Sequence, residues 1–394
     1  MLSYTTYGNY LVVFEHQGRE SVLDHGGEIS NGLGMNVLIA CGGTGGHLFP
    51  GIALAEELVK RGHTPYLVIS QKAVDRQAAE KYPQYTFVIQ PSRPKPATTS
   101  PKMLGFVMSL FKVTRMSKQL IKDKEIDAVI GMGGFTCFGP VFAGKSLKVP
   151  TFLHDSNAVP GKTNRFLAKY VNKVLLGLEP AQTFFPDVES EVVGTPLRDE
   201  MKALPDREEA CAKYGLKVEN PTVLVFGGSQ GAQKLNSLVI EASQLSDEAV
   251  QYLHVAGAAD FERVSGLVGE RANHQVLAFC DDMPSAYAVA DVVLCRSGAS
   301  SMTELSYLGL PSILVPYPVA ADDHQTKNAE AFTAHEAALM YQERDLSGEK
   351  LEKVIKDLLQ DDDLRDTLSK NVKALAHDPA ATICNLIEAS ARPQ

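Results

Sequence analysis

The 394-residue chain has no tryptophan, no C-x-x-C pair and no run of 18 apolar residues. Without such a run no membrane-spanning helix is expected. Without paired cysteines, Cys41, Cys137, Cys211, Cys280, Cys295 and Cys384 read as scattered thiols. Four lie in or beside apolar segments, as expected of buried free thiols in a reducing compartment. Positive charge is in short supply: the net charge of −9 argues against general nucleic-acid binding. Two nucleotide fingerprints are also missing. Counting Gly43-x-Gly45-x-x puts Leu48 where a dinucleotide fold needs its third glycine. The second strand ends in Ser70-Gln71-Lys72, with no acid for a ribose hydroxyl. No Gly-Lys-Ser/Thr follows the glycines, which excludes a P-loop.

What is present is a glycine turn between a strand and a helix. Val37 to Ala40 form a buried-strand run, and Gly42, Gly43, Thr44, Gly45, Gly46 and His47 follow. Ile52, Ala55, Leu58 and Val59 then recur at helical spacing, with Gly62 as the stop. Such a turn aims free N–H groups and a positive helix end at an anion, a diphosphate above all. Two more turns repeat the design, at Gly131-Met132-Gly133-Gly134 and at Gly227-Gly228-Ser229-Gln230-Gly231.

From Met35 the chain alternates strands and helices. Strands are expected at 36–41, 65–70, 85–90, 126–131, 150–154, 172–176 and 191–194. After a break at Gly194-Thr195-Pro196 they resume at 222–227, 251–256, 275–280, 292–296, 312–316 and 338–342. This pattern predicts α/β architecture with two Rossmann-like, doubly wound domains, at 35–195 and 196–394, facing a cleft. The tail from about 348 reads as helices, the last packing back on the first domain. Residues 1–34 do not resemble a signal peptide, because Glu15, Arg19, Glu20 and Asp24 break any apolar core. They are expected to form a poorly ordered extension, with a small docked hairpin from the YLVVFEH run as the alternative.

Several polar groups fall at the expected cleft. His47 opens the first helix, and His154-Asp155-Ser156-Asn157 ends a strand. The run Arg296-Ser297-Gly298-Ala299-Ser300-Ser301-Met302-Thr303 puts small residues at a helix start, followed by Glu304, a carboxylate suited to a ribose diol. Asp281-Asp282 and Asp322-Asp323 are poor metal sites, since neighbouring residues rarely converge on one ion and neither pair has clear partners, and no metal or other cofactor is expected. One segment departs from the acidic background: Arg93, Lys95, Lys102, Lys112, Arg115, Lys118 and Lys122 lie between Pro91 and Lys122 with no acid among them. Met103, Phe106, Val107 and Leu110 form an apolar stripe there, and Lys112, Arg115 and Lys118 a basic one. A core helix with a solvated face explains this pattern. The absence of acids favours docking on an anionic lipid surface, carried on a projecting Pro-rich loop.

With these motifs the chain resembles the MurG family of bacterial cell-wall glycosyltransferases, of the GT-B fold and family 28 type. The resemblance runs from Met35 to about the end of the chain. It rests on GGTGGHLFPG at 42–51, GMGG at 131–134, HDSN at 154–157, GGSQGA at 227–232, DDM at 281–283, RSGASSMTE at 296–304 and DDHQTKNA at 322–329. It implies inverting transfer of N-acetylglucosamine from UDP-GlcNAc to the C4 hydroxyl of lipid I, giving lipid II, on the cytoplasmic face of the inner membrane. By motif, Thr44, Gly45, Gly46, Asn157 and Arg198 would lie against the donor, and Ser229 against its diphosphate. Cys280 would meet the uracil through its backbone. Ala299, Ser300, Ser301, Met302 and Thr303 would offer helix-start N–H groups, Glu304 would hold the ribose and Gln325 the sugar. The base would be His47 or Asp155. Other cell-wall enzymes would be further partners. Two features depart from the family, which commonly has His-Glu-Gln-Asn where this chain has His154-Asp155-Ser156-Asn157. The second glycine turn also continues into Phe135-Thr136-Cys137-Phe138, which bears on acceptor binding. Another GT-B acceptor, or a non-catalytic UDP-sugar-binding regulator, are the competing readings; retention of His47 with Glu304 argues against the regulator.

Overall fold

The computed structural model describes residues 34–91, 102–227, 232–377 and 379–391, together with the strand backbone of 3–7 and 10–14. In the first half the order is β1 (Ser3–Tyr7), β2 (Tyr10–Phe14), β3 (Asn36–Ala40), α1 (Gly45–Lys60), β4 (Thr64–Ile69), α2 (Ala73–Lys81), β5 (Thr86–Ile89), α3 (Lys102–Asp123), β6 (Ala128–Gly131), α4 (Phe138–Leu147), β7 (Thr151–Asp155), α5 (Lys162–Leu167), β8 (Lys173–Leu176) and β9 (Ser190–Val192). The second half runs α6 (Arg207–Tyr214), β10 (Thr222–Phe226), α7 (Gln233–Leu245), β11 (Gln251–Val255), α8 (Phe261–Val268), β12 (His274–Leu277), α9 (Met283–Ala288), β13 (Val292–Cys295), α10 (Ala299–Leu308), β14 (Ser312–Leu314), α11 (His324–Thr333), β15 (Leu339–Met340), α12 (Gly348–Gln360), α13 (Asp362–Ala374) and α14 (Pro379–Ala391).

Among the described residues the first sheet has the order β1-β2-β5-β4-β3-β6-β7-β8-β9, and the second β12-β11-β10-β13-β14-β15. All pairs are parallel except β1–β2 and β2–β5. The central strands are buried on both faces, which is why they read as unbroken apolar runs. In each sheet the winding reverses at one point, between β3 and β6 in the first and between β10 and β13 in the second. A doubly wound sheet opens its ligand crevice at the carboxyl ends of those two strands. The glycine turns after β3 and β6, Gly227 after β10 and the start of α10 all stand there.

Two helical layers cover the first sheet. One joins Leu120, Val141, Leu153 and Leu167 in a core with α3, α4 and α5. The other packs α1 and α2, and it takes Ile383, Cys384 and Ile387 from α14, so the end of the chain completes the first domain. Arg61 secures this return, donating to Asn385 Oδ1 at 2.6 Å and to the Ala381 carbonyl at 3.3 Å. All six cysteines are free and buried.

At the N-terminus the described strands match the alternative given above: β1 pairs with β2, and β2 adds antiparallel to the edge strand β5 through Leu11–Ile89, Val12–Val88 and Val13–Phe87. An open edge on β5 and a short run rich in valine and aromatic residues opposite it are sufficient reason for the pairing. Residues 92–101, where a projecting loop was expected, lie outside the described residues. No described helix is long and apolar enough to cross a membrane.

Candidate active site

The first glycine turn is built around a residue that the sequence reading passed over. Asp75, fully buried at the start of α2, accepts from the Gly43 N–H at 2.9 Å, the Ser70 N–H at 2.7 Å and the Ser70 hydroxyl. Lys72 Nζ donates to the Gly43 carbonyl at 2.7 Å. The Gly43 N–H is therefore already used. The N–H groups of Thr44, Gly45 and Gly46, at the start of α1, are the ones left to face a ligand, and the first turn of α1 holds no acid. The acid sought at the end of the second strand is present, five residues later than the fingerprint places it, and it serves the turn instead of a ribose.

His47 follows directly. Its Nδ1 lies 3.2 Å from Thr44 Oγ1. Its ring is seated against the second glycine turn, where Gly133 and Gly134 adopt φ of +118° and +75°. A Cβ on Gly133 would lie 2.7 Å from His47 Cδ2 and 2.8 Å from Nε2, and one on Gly134 would lie 3.2 Å from Cε1. Those glycines are needed for the close approach of backbone to imidazole as well as for their positive φ. Burial lowers the basicity of His47, with Asp155 opposing and Lys72 adding to the effect. The ring is therefore held neutral to below the ordinary histidine range.

Asp155 is 4% exposed and has both oxygens engaged. Oδ1 accepts from the Asn157 N–H at 3.0 Å; Oδ2 accepts from the Gly161 N–H at 2.9 Å and from Asn164 Nδ2 at 2.8 Å. The carboxylate organises the turn that carries Asn157. His154 is buried one residue earlier and donates through Nε2 to the Gly194 carbonyl at 2.9 Å, tying β7 to the linker between domains. Asn328, not singled out in the sequence although it lies one helical turn after Gln325, bridges the cleft. Its Oδ1 accepts from the Ala158 N–H at 2.8 Å, and its Nδ2 donates to Asn157 Oδ1 at 3.2 Å and to the Ser297 carbonyl at 3.1 Å.

On the second domain Gly298 caps α10, whose first turn also lacks an acid. The N–H groups of Ala299, Ser300 and Ser301 thus point outward. A Cβ on Gly46 would lie 3.9 Å from Ser300 Oγ, so the starts of α1 and α10 face each other. Ser300 Oγ is buried and has no protein partner. One turn along, Glu304 Oε2 accepts from the Tyr287 hydroxyl at 2.6 Å, which leaves Oε1 for a ligand. Burial holds the Glu304 carboxyl above its ordinary value, against the pull of Tyr287 and Arg198. Met302 is buried and Thr303 donates its hydroxyl back to the Ala299 carbonyl at 2.9 Å, so any contact from these two is through the backbone. Gln325 Oε1 accepts from the Tyr317 N–H at 2.9 Å, leaving its amide to donate. Arg198 stacks over Phe49 at 4.2 Å and donates to the Tyr82 hydroxyl at 3.0 Å. Cys280 Sγ lies 3.6 Å from the Tyr214 hydroxyl. The acidic pairs are occupied: Asp282 caps α9 and meets Lys213, and Asp322 meets Lys162 and Arg165. Ser229 lies outside the described residues.

The docking stripe needs correction at α3. Phe106 is 8% exposed and packs edge-on against Phe135 at 6.1 Å, while Met103 and Leu110 are half-buried. Of the periodic positions Phe106 is on the core face, Met103 and Leu110 lie at its edge and Val107 is exposed. The residues facing solvent are Leu104, Val107, Met108 and Phe111, with Phe111 73% exposed, and Lys112 and Arg115 are exposed beside them. Large apolar residues at 104, 108 and 111, left over once the core stripe is removed, were the signal for this face.

Residues 37–176 match the glycosyltransferase family 28 N-terminal domain, and residues 222–383 match the C-terminal domain of the same family. A UDP-N-acetylglucosamine--N-acetylmuramyl-(pentapeptide) pyrophosphoryl-undecaprenol N-acetylglucosamine transferase from Geobacter sp. (strain M21) is 36% identical over 353 residues, covering 88% of this chain and 94% of that protein. The transferase of the same name from Myxococcus xanthus (strain DK1622) is 36% identical over 355 residues, covering 88% and 90%. The crystal structure of Acinetobacter baumannii MurG superimposes with a TM-score of 0.72 at 26% identity, covering 90% of this chain and 99% of that one. Two parallel-sheet domains that face each other across a cleft, each matched in order to its half of one enzyme family, make this a GT-B enzyme, and the chain belongs to glycosyltransferase family 28.

Proposed function

We propose that the protein transfers N-acetylglucosamine from UDP-N-acetylglucosamine to the C4 hydroxyl of the N-acetylmuramyl unit of lipid I, giving lipid II. The observation that carries this reading is the opposition of two acid-free helix starts across one cleft, one followed by His47 and the other by Glu304. The names of the relatives supply the substrates.

In this reading the N–H groups of Ala299 to Ser301 hold the diphosphate, Glu304 Oε1 the ribose and the Gln325 amide the sugar hydroxyls. Asn157 and Arg198 complete the donor wall. The N–H groups of Thr44 to Gly46 lie against the donor from the facing domain, beside His47. With its Nδ1 proton donated to Thr44 Oγ1, His47 presents the Nε2 lone pair to the acceptor hydroxyl. Nε2 takes that proton as the acceptor oxygen bonds to the anomeric carbon from the face opposite UDP. The bond from that carbon to the diphosphate oxygen breaks, and its electron pair leaves with UDP. The configuration inverts. The α10 dipole and its N–H groups stabilise the charge gathering on UDP. Asp155, with its oxygens engaged, keeps the Asn157 turn in place and supports the imidazolium by its charge. The exposed apolar and basic face of α3 rests on anionic lipid, placing the enzyme peripherally on the cytoplasmic face of the membrane.

The test is UDP release from UDP-N-acetylglucosamine with and without a lipid I analogue. Release that depends on the analogue, with a lipid II product, is the expected result. Donor binding without turnover on that acceptor would overturn the assignment.

A further inference from the structure

Four aromatic rings cluster on the outer side of the α4–α5 layer. Phe138 lies 4.6 Å from Phe142 and 6.1 Å from Phe166, centroid to centroid, and Tyr170 lies 4.5 Å from Phe142 and 5.7 Å from Phe166. Asn164 and Leu167 form the inward face of α5, whereas Phe166 turns out and is 51% exposed. Packing of α5 thus does not call for a phenylalanine at 166. The surrounding chain is basic: between Phe135 and Asn172, Lys145, Lys148, Lys162, Arg165 and Lys169 face a single acid, the buried Asp155.

The location of the cluster says what could lie on it. Phe138 follows four residues after Gly134, which backs His47. Lys162 and Arg165 reach Asp322 of the second domain at 3.0 and 2.8 Å, so α5 forms a rim of the cleft. On the far side α4 packs tightly along α3, where a Cβ on Gly139 would meet Ser117 Oγ at 2.9 Å. The rings lie on α4 and α5 beside the cleft, with α3 on the opposite side of α4. A prenyl chain leaving a diphosphate is a branched hydrocarbon without hydrogen-bonding groups, and ring faces are its natural support.

We propose that this platform binds the isoprene units next to the acceptor diphosphate as the prenyl chain leaves the cleft. The inference rests on the acceptor assigned above. Three half-buried rings and one raised ring make a shallow shelf, suited to one chain lying across it.

Two acceptor analogues test it with the full-length enzyme, one bearing four isoprene units on the diphosphate and one a methyl group. Wild type should prefer the four-unit analogue in kcat/KM. Phe166→Ser should lower kcat/KM for that analogue by roughly tenfold, from the lost ring contacts, and change the methyl analogue less than about twofold. Phe166→Leu, which keeps apolar area, should recover part of the preference. Equal loss on both analogues, or none on either, would overturn the proposal. So would loss of binding to phosphatidylglycerol vesicles with the four-unit preference intact, since the rings would then be a bilayer contact. Wild-type inactivity on both would refute the acceptor assignment itself, and the platform proposal with it.

Discussion

Replacing Gly133 with alanine puts a methyl group 2.7 Å from His47 Cδ2, 2.8 Å from Nε2 and 3.4 Å from Asn164 Nδ2. Carbon–carbon contacts are comfortable at about 3.5–4.0 Å, so the imidazole must retreat by close to an ångström. The backbone gives no relief, because φ of +118° at residue 133 is itself unfavourable for alanine, costing roughly 1–3 kcal/mol. A displacement of about an ångström at a reacting group costs on the order of a hundredfold in rate. The expected outcome is therefore a fall of about 100-fold in kcat with donor affinity unchanged within about twofold, since Glu304 and the α10 start are on the other domain. Steady-state kinetics with the lipid I analogue and calorimetric titration with UDP-N-acetylglucosamine separate the two. Gly266→Ala is the control: it lies within α8 with nothing within 4 Å of its Cβ position, and should raise stability by roughly 0.5–1 kcal/mol without touching kinetics. A folded Gly133→Ala enzyme with kcat within about threefold of wild type would refute the idea that the second glycine turn seats His47.

Other outcomes follow from the same site. Burial depresses the His47 pKa, so the acid limb of kcat/KM should lie below about 6.5. Asp155→Asn removes a charge that raises that pKa and should move the limb lower still; a limb moving upward in the pH profile would contradict the assignment. Glu304→Ala should weaken UDP-N-acetylglucosamine binding by roughly 1–3 kcal/mol, the scale of hydrogen bonds to a charged group, and unchanged calorimetric affinity would remove its ribose role. Phe111→Ser with Met108→Ser should release the enzyme from phosphatidylglycerol vesicles in sedimentation while leaving its melting temperature unchanged, because both side chains are exposed. The buried pair His254 and His274, 3.2 Å apart, has pKa values pushed down to about 3 and about 4, chiefly by burial. Between those values and about 6.5 the unfolded chain binds the extra protons, so stability should fall with falling pH by up to about 1.4 kcal/mol per unit for each ring. Urea midpoints at pH 7 and 5 for wild type and His254→Gln would reveal it.

The sheets and their switch points were legible because a strand buried on both faces leaves an unbroken apolar run, and the glycines mark the turns beside them. At α3 periodicity does not separate a core face from a solvent face: of the stripe at 103, 106, 107 and 110, Phe106 is buried and Val107 exposed. The exposed apolar face joins Val107 to Leu104, Met108 and Phe111, which the stripe leaves out. Asp75 and Asn328 escaped because each also binds a turn distant in sequence, through the Gly43 N–H and the Ala158 N–H, which no local pattern displays. The docked hairpin depended on an edge left open by β5, a property of the finished sheet.

The return of α14 has a consequence for synthesis. Ile383, Cys384 and Ile387 belong to the core under α1, so the first domain is a discontinuous unit whose last wall follows the whole second domain in sequence. Domains ordinarily mature in the order they leave the ribosome. Here the earlier domain must wait, with one flank of α1 uncovered, while the whole second domain is made. Its core closes only after α14 has been made, and truncation ahead of α14 would leave α1 of the first domain uncovered.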